Sequence, residues 1–469
     1  MTLDRATRPP RTRVVRLLGG GAVALAPRRL PIAVRLVAGL GLMVAVGTFV
    51  LGFTGMTTAP LSLLDTSFMT TSAVTVTGLA VVPVSTTFTL LGQVVILLLA
   101  QVGGVGFMVM VVLALRLAGH QVSLVDRLAL TSSIGLRDPR SVLQIMTRAT
   151  LFILVVEGMG ALLLYLHWTA RGIVLPDDAW FYAIFHSVMA FCNAGFDLFS
   201  GNPAYGGGIP VDTVTLIIMG GLIIIGGLGI PVLADLLTRR RGPRLHLHTR
   251  LALWSSLGLV LVGWAGLLLV EFRLGGVLSG ESFVDRAAIA WFQSVAARTA
   301  GFASISDFGG LHSASLILMG GLMFIGSAPA SMCGGITTGS FAVLALAVVS
   351  YATGRDGVYA GDRKISVDTV WRATFILVAG LVLVGFASWT ILVLQDLASD
   401  AVVFEVVSAF STTGLSLGIT PQLAPASRVM IMLVMFWGRL GSVTIMLAIL
   451  GRKPGQRLID YPEEVVLVG

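Results

Sequence analysis

Apolar runs dominate this chain, and they are too long and too unbroken for a soluble domain. Eight are predicted to be spanning helices, near residues 33–55, 88–115, 147–168, 214–237, 252–272, 314–350, 370–394 and 428–450; each exceeds or approaches the ~18 apolar residues that mark a membrane span. Taken in pairs, the runs enclose four shorter segments of small, hydroxyl and apolar residues. These end in TSAVTVTGL (71–79), AFCNAGF (190–196), AARTAGF (296–302) and AFSTTGL (409–415). Each is preceded by room for a helix of about a dozen residues, too short to cross ~30 Å of hydrocarbon. Such a segment must enter the bilayer and return on the same side.

The four segments are in phase. Their glycines, Gly78, Gly195, Gly301 and Gly414, lie 117, 106 and 113 residues apart. The second helix of each pair carries a small-residue motif: GGVG (103–106), GGLG (226–229), GSAP (326–329) and GRLG (438–441). The first glycine of each motif follows its segment's glycine by 25, 31, 25 and 24 residues, and the excess in the second unit is assigned to GNPAYGGG (201–208). A fixed period of this kind marks an internal repeat. Each unit reads helix, half-helix, glycine turn, helix. The expected fold is an all-α polytopic membrane protein of four linked membrane-pore-membrane repeats, eight spanning helices and four re-entrant half-helices, with pseudo-fourfold symmetry around one ion pore. The expected divisions are a basic arm (1–32), repeats at 33–118, 119–240, 241–350 and 351–451, and a tail (452–469).

Beyond each half-helix the backbone is predicted to be extended, with carbonyls that lack helical partners. At membrane depth such backbone survives only inside protein or along a water-filled cavity. Four such stretches around one axis would offer rings of carbonyl oxygen, which is how a dehydrated alkali cation is held. Glycine permits the dihedrals that turn successive carbonyls one way. Thr75, Thr77, Thr299, Thr412 and Thr413 either add hydroxyl oxygens or brace the turns, and half-helix C-termini aimed at the axis would add negative partial charge. No ring of carboxylates stands at these turns, so a monovalent ion is expected rather than Mg2+ or Ca2+. Asp197, two residues beyond Gly195, reads equally as an outer-mouth acid or a solvated loop acid.

Composition agrees. Of 469 residues, 56% are hydrophobic and 12% charged, with a mean hydropathy of +0.93; soluble domains carry about 25% charged residues. The net charge of +8 is not a nucleic-acid footprint, because the basic residues gather in alternate loops. Eight lie within residues 1–35, five in 116–148, five in 239–250, four in 355–372 and three in 452–457. This bias puts both termini in the cytoplasm, in accord with an even number of crossings. The basic residues 5–16 and the run after them are read as an arm near the membrane surface rather than a signal peptide. Cys192 and Cys333 are far apart with no metal-type spacing and are expected to be small buried residues. His186 and the HLH at 246–248 imply no metal, and no HExxH occurs, so no enzyme is expected.

The run 314–350 is too long for one span, at roughly 55 Å as a continuous helix. It is predicted to break across GSAPASMCGGITTG (326–339), where Pro329, Gly334, Gly335 and Gly339 oppose helix. Arg439 stands inside the last apolar run. A charge at that depth is costly and faces a cavity or a partner. Arg298 is expected to brace a turn from behind, and Glu157 and Glu271 are candidate partners for such arginines.

Taken together, SAVTVTGL, FCNAGF, RTAGF, FSTTGLS and the GRLGS of the last helix resemble the Trk/Ktr/HKT superfamily of potassium transporters, most closely its Ktr-type membrane subunit, over about residues 33–450. The resemblance implies a glycine-centred selectivity filter formed by Val74, Thr75, Val76, Thr77 and Gly78; Cys192, Asn193, Ala194 and Gly195; Thr299, Ala300 and Gly301; and Thr412, Thr413 and Gly414. These residues would bind K+ through backbone carbonyls. It makes the break in the third repeat an intramembrane gate of Gly326, Pro329, Gly334, Gly335, Thr337, Thr338 and Gly339 with Arg439, although the loop carries Thr337 and Thr338 where the family has more Gly and Ser and a Lys. It further implies a homodimer, a separate cytosolic ring of nucleotide-binding regulator subunits (ATP/ADP or NAD type) docked on the cytoplasmic loops, Na+ as a candidate activating ion, and no organic cofactor on this chain. Glycine at all four filter positions favours K+; a sodium-permeable or weakly selective channel of the same fold is the alternative.

Overall fold

The computed structural model describes residues 32–105, 142–205, 208–238, 245–273, 282–305, 308–329 and 331–441. The basic arm, most of the 116–147 loop and the C-terminal tail lie outside these residues, as do the expected ends of the spans 88–115 and 428–450. Fifteen helices are described. The first unit has α1 (Ile32–Leu51), α2 (Leu63–Thr75), the single turn α3 (Val84–Thr87) and α4 (Leu90–Val105). The second has α5 (Val142–Arg171), α6 (Pro176–Cys192), α7 (Thr213–Gly227) and α8 (Ile230–Thr238). The third has α9 (Leu247–Arg273), α10 (Phe283–Ala296), α11 (Ser313–Phe324) and α12 (Thr338–Ala352). The fourth has α13 (Val367–Leu394), α14 (Ser399–Ser411) and α15 (Pro425–Leu440). The other described regular elements are two 3-10 turns, Phe308–Gly310 and Thr420–Gln422, and an antiparallel hairpin of two-residue strands, Tyr359–Ala360 against Arg363–Lys364.

Among the described residues, α1, α5, α9 and α13 are long and apolar enough to cross a membrane. They carry exposed large apolar side chains such as Phe49, Leu151, Leu269 and Val382, which only a lipid environment solvates cheaply. This is a multi-pass membrane protein. The four half-helices α2, α6, α10 and α14 run 13, 17, 14 and 13 residues, about 20–26 Å at 1.5 Å per residue, short of a crossing. They are the buried centre: Phe68, Phe185, Phe292 and Phe410 are at most 2% exposed.

One departure from the expected spans follows from glycine and proline. The run 214–237 is not one helix; α7 and α8 are bent by 97°. Gly229, with φ +80°, sits at the bend, and Pro231 has no N–H to carry the ladder onward. The run 314–350 breaks where its composition said it would, between Phe324 and Thr338. The longer spacing in the second unit falls, as expected, between Gly195 and the start of α7 at Thr213. There the Asp212 side chain caps α7 by accepting from Thr215 N at 3.0 Å and meets His167 Nε2 at 2.6 Å. Burial opposes ionisation of this carboxyl, but the bonds from Thr215 and His167 outweigh it and hold Asp212 below its ordinary value.

The units close on one another in sequence. Besides its contacts within its own unit, each second helix packs on the next unit's half-helix: α4 on α6, α7 on α10, α11 on α14, and α15 back on α2. Glycine sets how close three of these helices come. A Cβ on Gly103, Gly226 or Gly438 would strike the carbonyl oxygen of Val74, Phe191 or Phe410, each the residue four before its segment's glycine. The first glycine of the small-residue motif thus seats the helix backbone directly on the end of a half-helix. The third motif differs, because Gly326 already lies in the break and faces Gly334 O and Thr299.

Candidate functional site

Each half-helix stops immediately before its glycine turn, and the same local chemistry stops three of them. Val76, Asn193 and Thr412 follow α2, α6 and α14 in the left-handed conformation, with φ 59°, 58° and 51°. Their N–H groups donate back to Ala73, Ala190 and Ala409. The next N–H groups, of Thr77, Ala194 and Thr413, donate to Ser72 O, Met189 O and Ser408 O at 2.8–2.9 Å. This paired closure satisfies the last helical carbonyls. Val74 and Thr75 therefore belong to α2, and Cys192 to α6; the non-helical stretches begin one residue later. The third turn is built differently. Ala297 caps α10 in the right-handed region, and the chain turns at Thr299 with φ 95°.

Two residues beyond each of these positions comes the glycine, again with positive φ: Gly78 88°, Gly195 68°, Gly301 74° and Gly414 96°. In an extended chain successive carbonyls point to opposite sides; a positive φ at every second residue undoes that alternation. The four glycines face each other in a closed order. A Cβ on Gly78 would meet Ala194 O and Gly195 Cα; on Gly195, Ala300 O and Gly301 Cα; on Gly301, Thr413 O and Gly414 Cα; on Gly414, Thr77 O and Gly78 Cα. Four strands thus form one ring, with a carbonyl oxygen at each seam. Thr77, Ala194, Ala300 and Thr413 are fully buried, as are Val76, Thr299 and Thr412, and Asn193 is nearly so. Yet no hydrogen bond from the described residues reaches the carbonyl oxygens of any of these eight. Buried carbonyls without a donor are uncommon and costly, and eight around one ring are oxygens that could coordinate a cation.

The hydroxyls resolve toward bracing. Thr75 Oγ1 donates to Thr71 O and meets Thr77 Oγ1, both at 2.7 Å; Thr413 Oγ1 meets Ser411 Oγ at 2.7 Å. Gly414 N donates to Ser408 Oγ at 3.0 Å. The Asn193 side chain donates to Phe191 O. Asp197 is engaged by its own loop, its carboxylate accepting from Phe199 N, Ser200 N and Ser200 Oγ at 2.8, 2.5 and 2.9 Å.

Below the half-helix ends lies the segment between α11 and α12, and it bonds directly to the second, third and fourth units. Ile325 and Ile336 form a parallel bridge that folds it into a loop. Ala328 N donates to Gly227 O of the second unit at 3.1 Å. Ser327 Oγ donates to Arg298 O at 3.0 Å and meets Thr299 Oγ1 at 3.2 Å in the third. Gly334 N donates to Thr412 Oγ1 at 2.9 Å in the fourth, and Gly335, φ +75°, sits against Ser411. Contact with the first unit runs through Arg439, which donates to Met332 O in the loop and to Gly103 O and Gly104 O at the described end of α4. Pro329 packs on Gly339, Thr338 N donates to Ser327 O, and Thr337 caps α12 through Ser340 N. Arg298 fastens the loop's start from behind: Nη2 donates to Gly326 O at 3.2 Å, and Nη1 to Ser256 O of α9 at 3.2 Å.

Neither arginine pairs with Glu157 or Glu271. Glu157 accepts from Gln101 Nε2 at 3.0 Å, and Glu271 from Ser315 Oγ at 2.6 Å and His312 N at 3.3 Å. Two cations whose described hydrogen bonds all go to carbonyls and a hydroxyl flank the loop. Sequence reading did not single out Ser327, Met332 or Gly227. The signal was available for Gly227 and Ser327, which hold the second position of the phased motifs GGLG and GSAP; no phased motif marks Met332.

Residues 41–461 match the TrkH family model, described as a cation transport protein. The chain is 34% identical over 435 residues to the Ktr system potassium uptake protein B of Bacillus subtilis (strain 168), covering 92% of this chain and 95% of that one. It is 34% identical over 419 residues to the protein of the same name from Vibrio alginolyticus, covering 87% and 89%. The potassium/sodium uptake protein NtpJ of Enterococcus hirae is 32% identical over 418 residues, covering 87% and 90%. The fold resembles the crystal structure of the potassium transporter TrkH from Vibrio parahaemolyticus, with a TM-score of 0.69 over 92% of this chain and 86% of that one, at 18% identity.

Proposed function

The chain belongs to the TrkH family of cation transport proteins, and on that premise we propose that it is the membrane subunit of a potassium uptake system. Four membrane-pore-membrane units, related by pseudo-fourfold symmetry, surround one path for K+. The observation that carries this reading is the closed ring of Gly78, Gly195, Gly301 and Gly414 with its donor-free carbonyl seams. Carbonyl oxygens replace the hydration shell of a monovalent cation. The C-terminal ends of α2, α6, α10 and α14 add negative partial charge where the ion dehydrates. The printed names of the relatives favour potassium. The loop between α11 and α12, with Arg439, is the gate: it lies across the inner side of the ring and presents a cation to an approaching cation.

Regulation falls to a separate nucleotide-binding ring on the cytoplasmic loops, the chain works as a homodimer, and both termini are cytoplasmic. These features rest on the family resemblance and on the clustering of basic residues. A second reading, a channel that also passes sodium, is favoured by the potassium/sodium name of one relative. Growth of a potassium-uptake-deficient bacterium on low K+ tests both. Expression of this chain with its regulator restores growth, and Gly78→Ser abolishes the rescue or makes the cells sodium-sensitive. Rescue untouched by Gly78→Ser would overturn the filter assignment; sodium loading by the wild type would select the second reading.

A further inference from the structure

The half-helices carry a second set of phased residues, and these hold the chain after it leaves the ring. His186 lies nine residues before Gly195, Gln293 eight before Gly301, and Glu405 nine before Gly414. All three are buried, at most 1% exposed. In the second unit, Leu198 N, three residues past the glycine, donates to His186 Nε2 at 3.3 Å, while His186 Nδ1 meets Tyr182 O at 2.7 Å. An acceptor at Nε2 and a donor at Nδ1 define one neutral tautomer. Tyr182 Oη donates to Leu198 O at 3.1 Å, so both backbone groups of Leu198 are held by α6. In the third unit, Ser304, again three past the glycine, donates from N and from Oγ to Gln293 Oε1, each at 3.1 Å. In the fourth, Thr420 Oγ1 donates to Glu405 Oε1 and also reaches Ser416 Oγ at 3.0 Å, two past the glycine.

The first unit has no counterpart. Met69, nine before Gly78, is fully buried, and Val81, three past that glycine, is packed among apolar residues. The hydroxyls of α2 at Thr70 and Thr71 return to Thr66 O and Ser67 O of their own helix. A polar residue in a fully buried position is retained at a cost unless its bond is made. Three such residues eight or nine before their glycines, each bonded to the chain that leaves the ring, three residues past the glycine in two units and six past it in the fourth, are a shared device rather than three accidents of packing.

We propose that His186, Gln293 and Glu405 are positioning residues that fix the outer side of the ion-binding ring on three sides, leaving the first strand, at Gly78, as its compliant side. None touches the path; each acts through the strand it holds. The inference rests on reading the ring as the ion path, and the test separates the two. Purified full-length protein in liposomes is assayed for 86Rb+ and 22Na+ uptake as wild type, Gln293→Leu, Glu405→Leu, Glu405→Gln, Thr420→Val and, as a control, Met69→Leu. Losing one buried hydrogen bond on a strand lowers the Rb+/Na+ uptake ratio about tenfold in Gln293→Leu, Glu405→Leu and Thr420→Val. Glu405→Gln, which keeps the acceptor for Thr420, stays within about twofold of wild type, as does Met69→Leu. Thr420→Val removes the partner from the strand side and stands in for Glu405→Leu should that variant not fold. Wild-type ratios in Gln293→Leu and Thr420→Val would overturn the positioning role while leaving the ion path intact. A wild type that selects neither ion would overturn the underlying reading.

Discussion

Arg439 joins more of the site than any other side chain. Its guanidinium bonds carbonyls of the loop and of α4, so it links the first, third and fourth units. A guanidinium serves three carbonyls in a way that an ammonium does not, because its donors lie in a rigid fork. Arg439→Ala removes both the charge and the ties. The expected result is Rb+ flux through liposomes raised severalfold in the absence of any regulator, with Arg439→Lys intermediate; unchanged or lower flux in Arg439→Ala would contradict the barrier role. The depth of Arg439 within an apolar run was legible in the sequence, as was the costliness of its charge. Its partners were not. Met332 and Gly104 are 107 and 335 residues away in the chain, and no local pattern encodes such a meeting. The same limit hid the partners of Glu157 and Glu271, which bond Gln101 and Ser315 rather than an arginine.

Among the helices, the phased glycines do two different jobs that sequence alone presents as one. Gly78, Gly195, Gly301 and Gly414 supply positive φ and close approach within the ring. Gly103, Gly226 and Gly438 are helical or at a helix end and supply only closeness, seating α4, α7 and α15 on the half-helix ends. Gly438→Ala should therefore leave the ring's dihedrals intact but push α15 off Phe410 O. Overpacking of this kind costs about 1–3 kcal/mol, read as a lower thermal midpoint of the detergent-solubilised protein. No change in midpoint would mean the helix yields freely there. The bend at Gly229 was missed because the hydropathy of 214–237 is continuous across it; the GLGIP composition was a signal that hydrophobicity outvoted. The third turn, built around Ala297 and Thr299 rather than a left-handed cap, was equally hidden, since its AGF ending matches that of the second. The difference goes with the loop, which takes Arg298 O and Thr299 as anchors.

Taken as an assembly, the chain is a ring closed twice. Half-helices and second helices interlock from unit to unit, and within them four glycines face one another in the same order. Period, segment length and glycine placement made the four half-helices and the positive-φ glycines after them readable before any coordinates, because each reflects a constraint that every such segment must satisfy separately. What joins the units was not readable, because those contacts need be made only once. The ring is the claim on which the rest depends, and it is tested most directly by K+ and Na+ permeability of liposomes containing wild type or one of four single variants, Gly78→Ala, Gly195→Ala, Gly301→Ala and Gly414→Ala. A Cβ at any of the four meets the next strand's backbone at a φ that side chains avoid, at a cost of about 1–2 kcal/mol before any clash. The expected result is a potassium-selective wild type and loss of K+ flux, or of selectivity over Na+, in all four variants. Wild-type flux and selectivity in any one of the four would show that its strand does not line the path, and the ring would not be the filter.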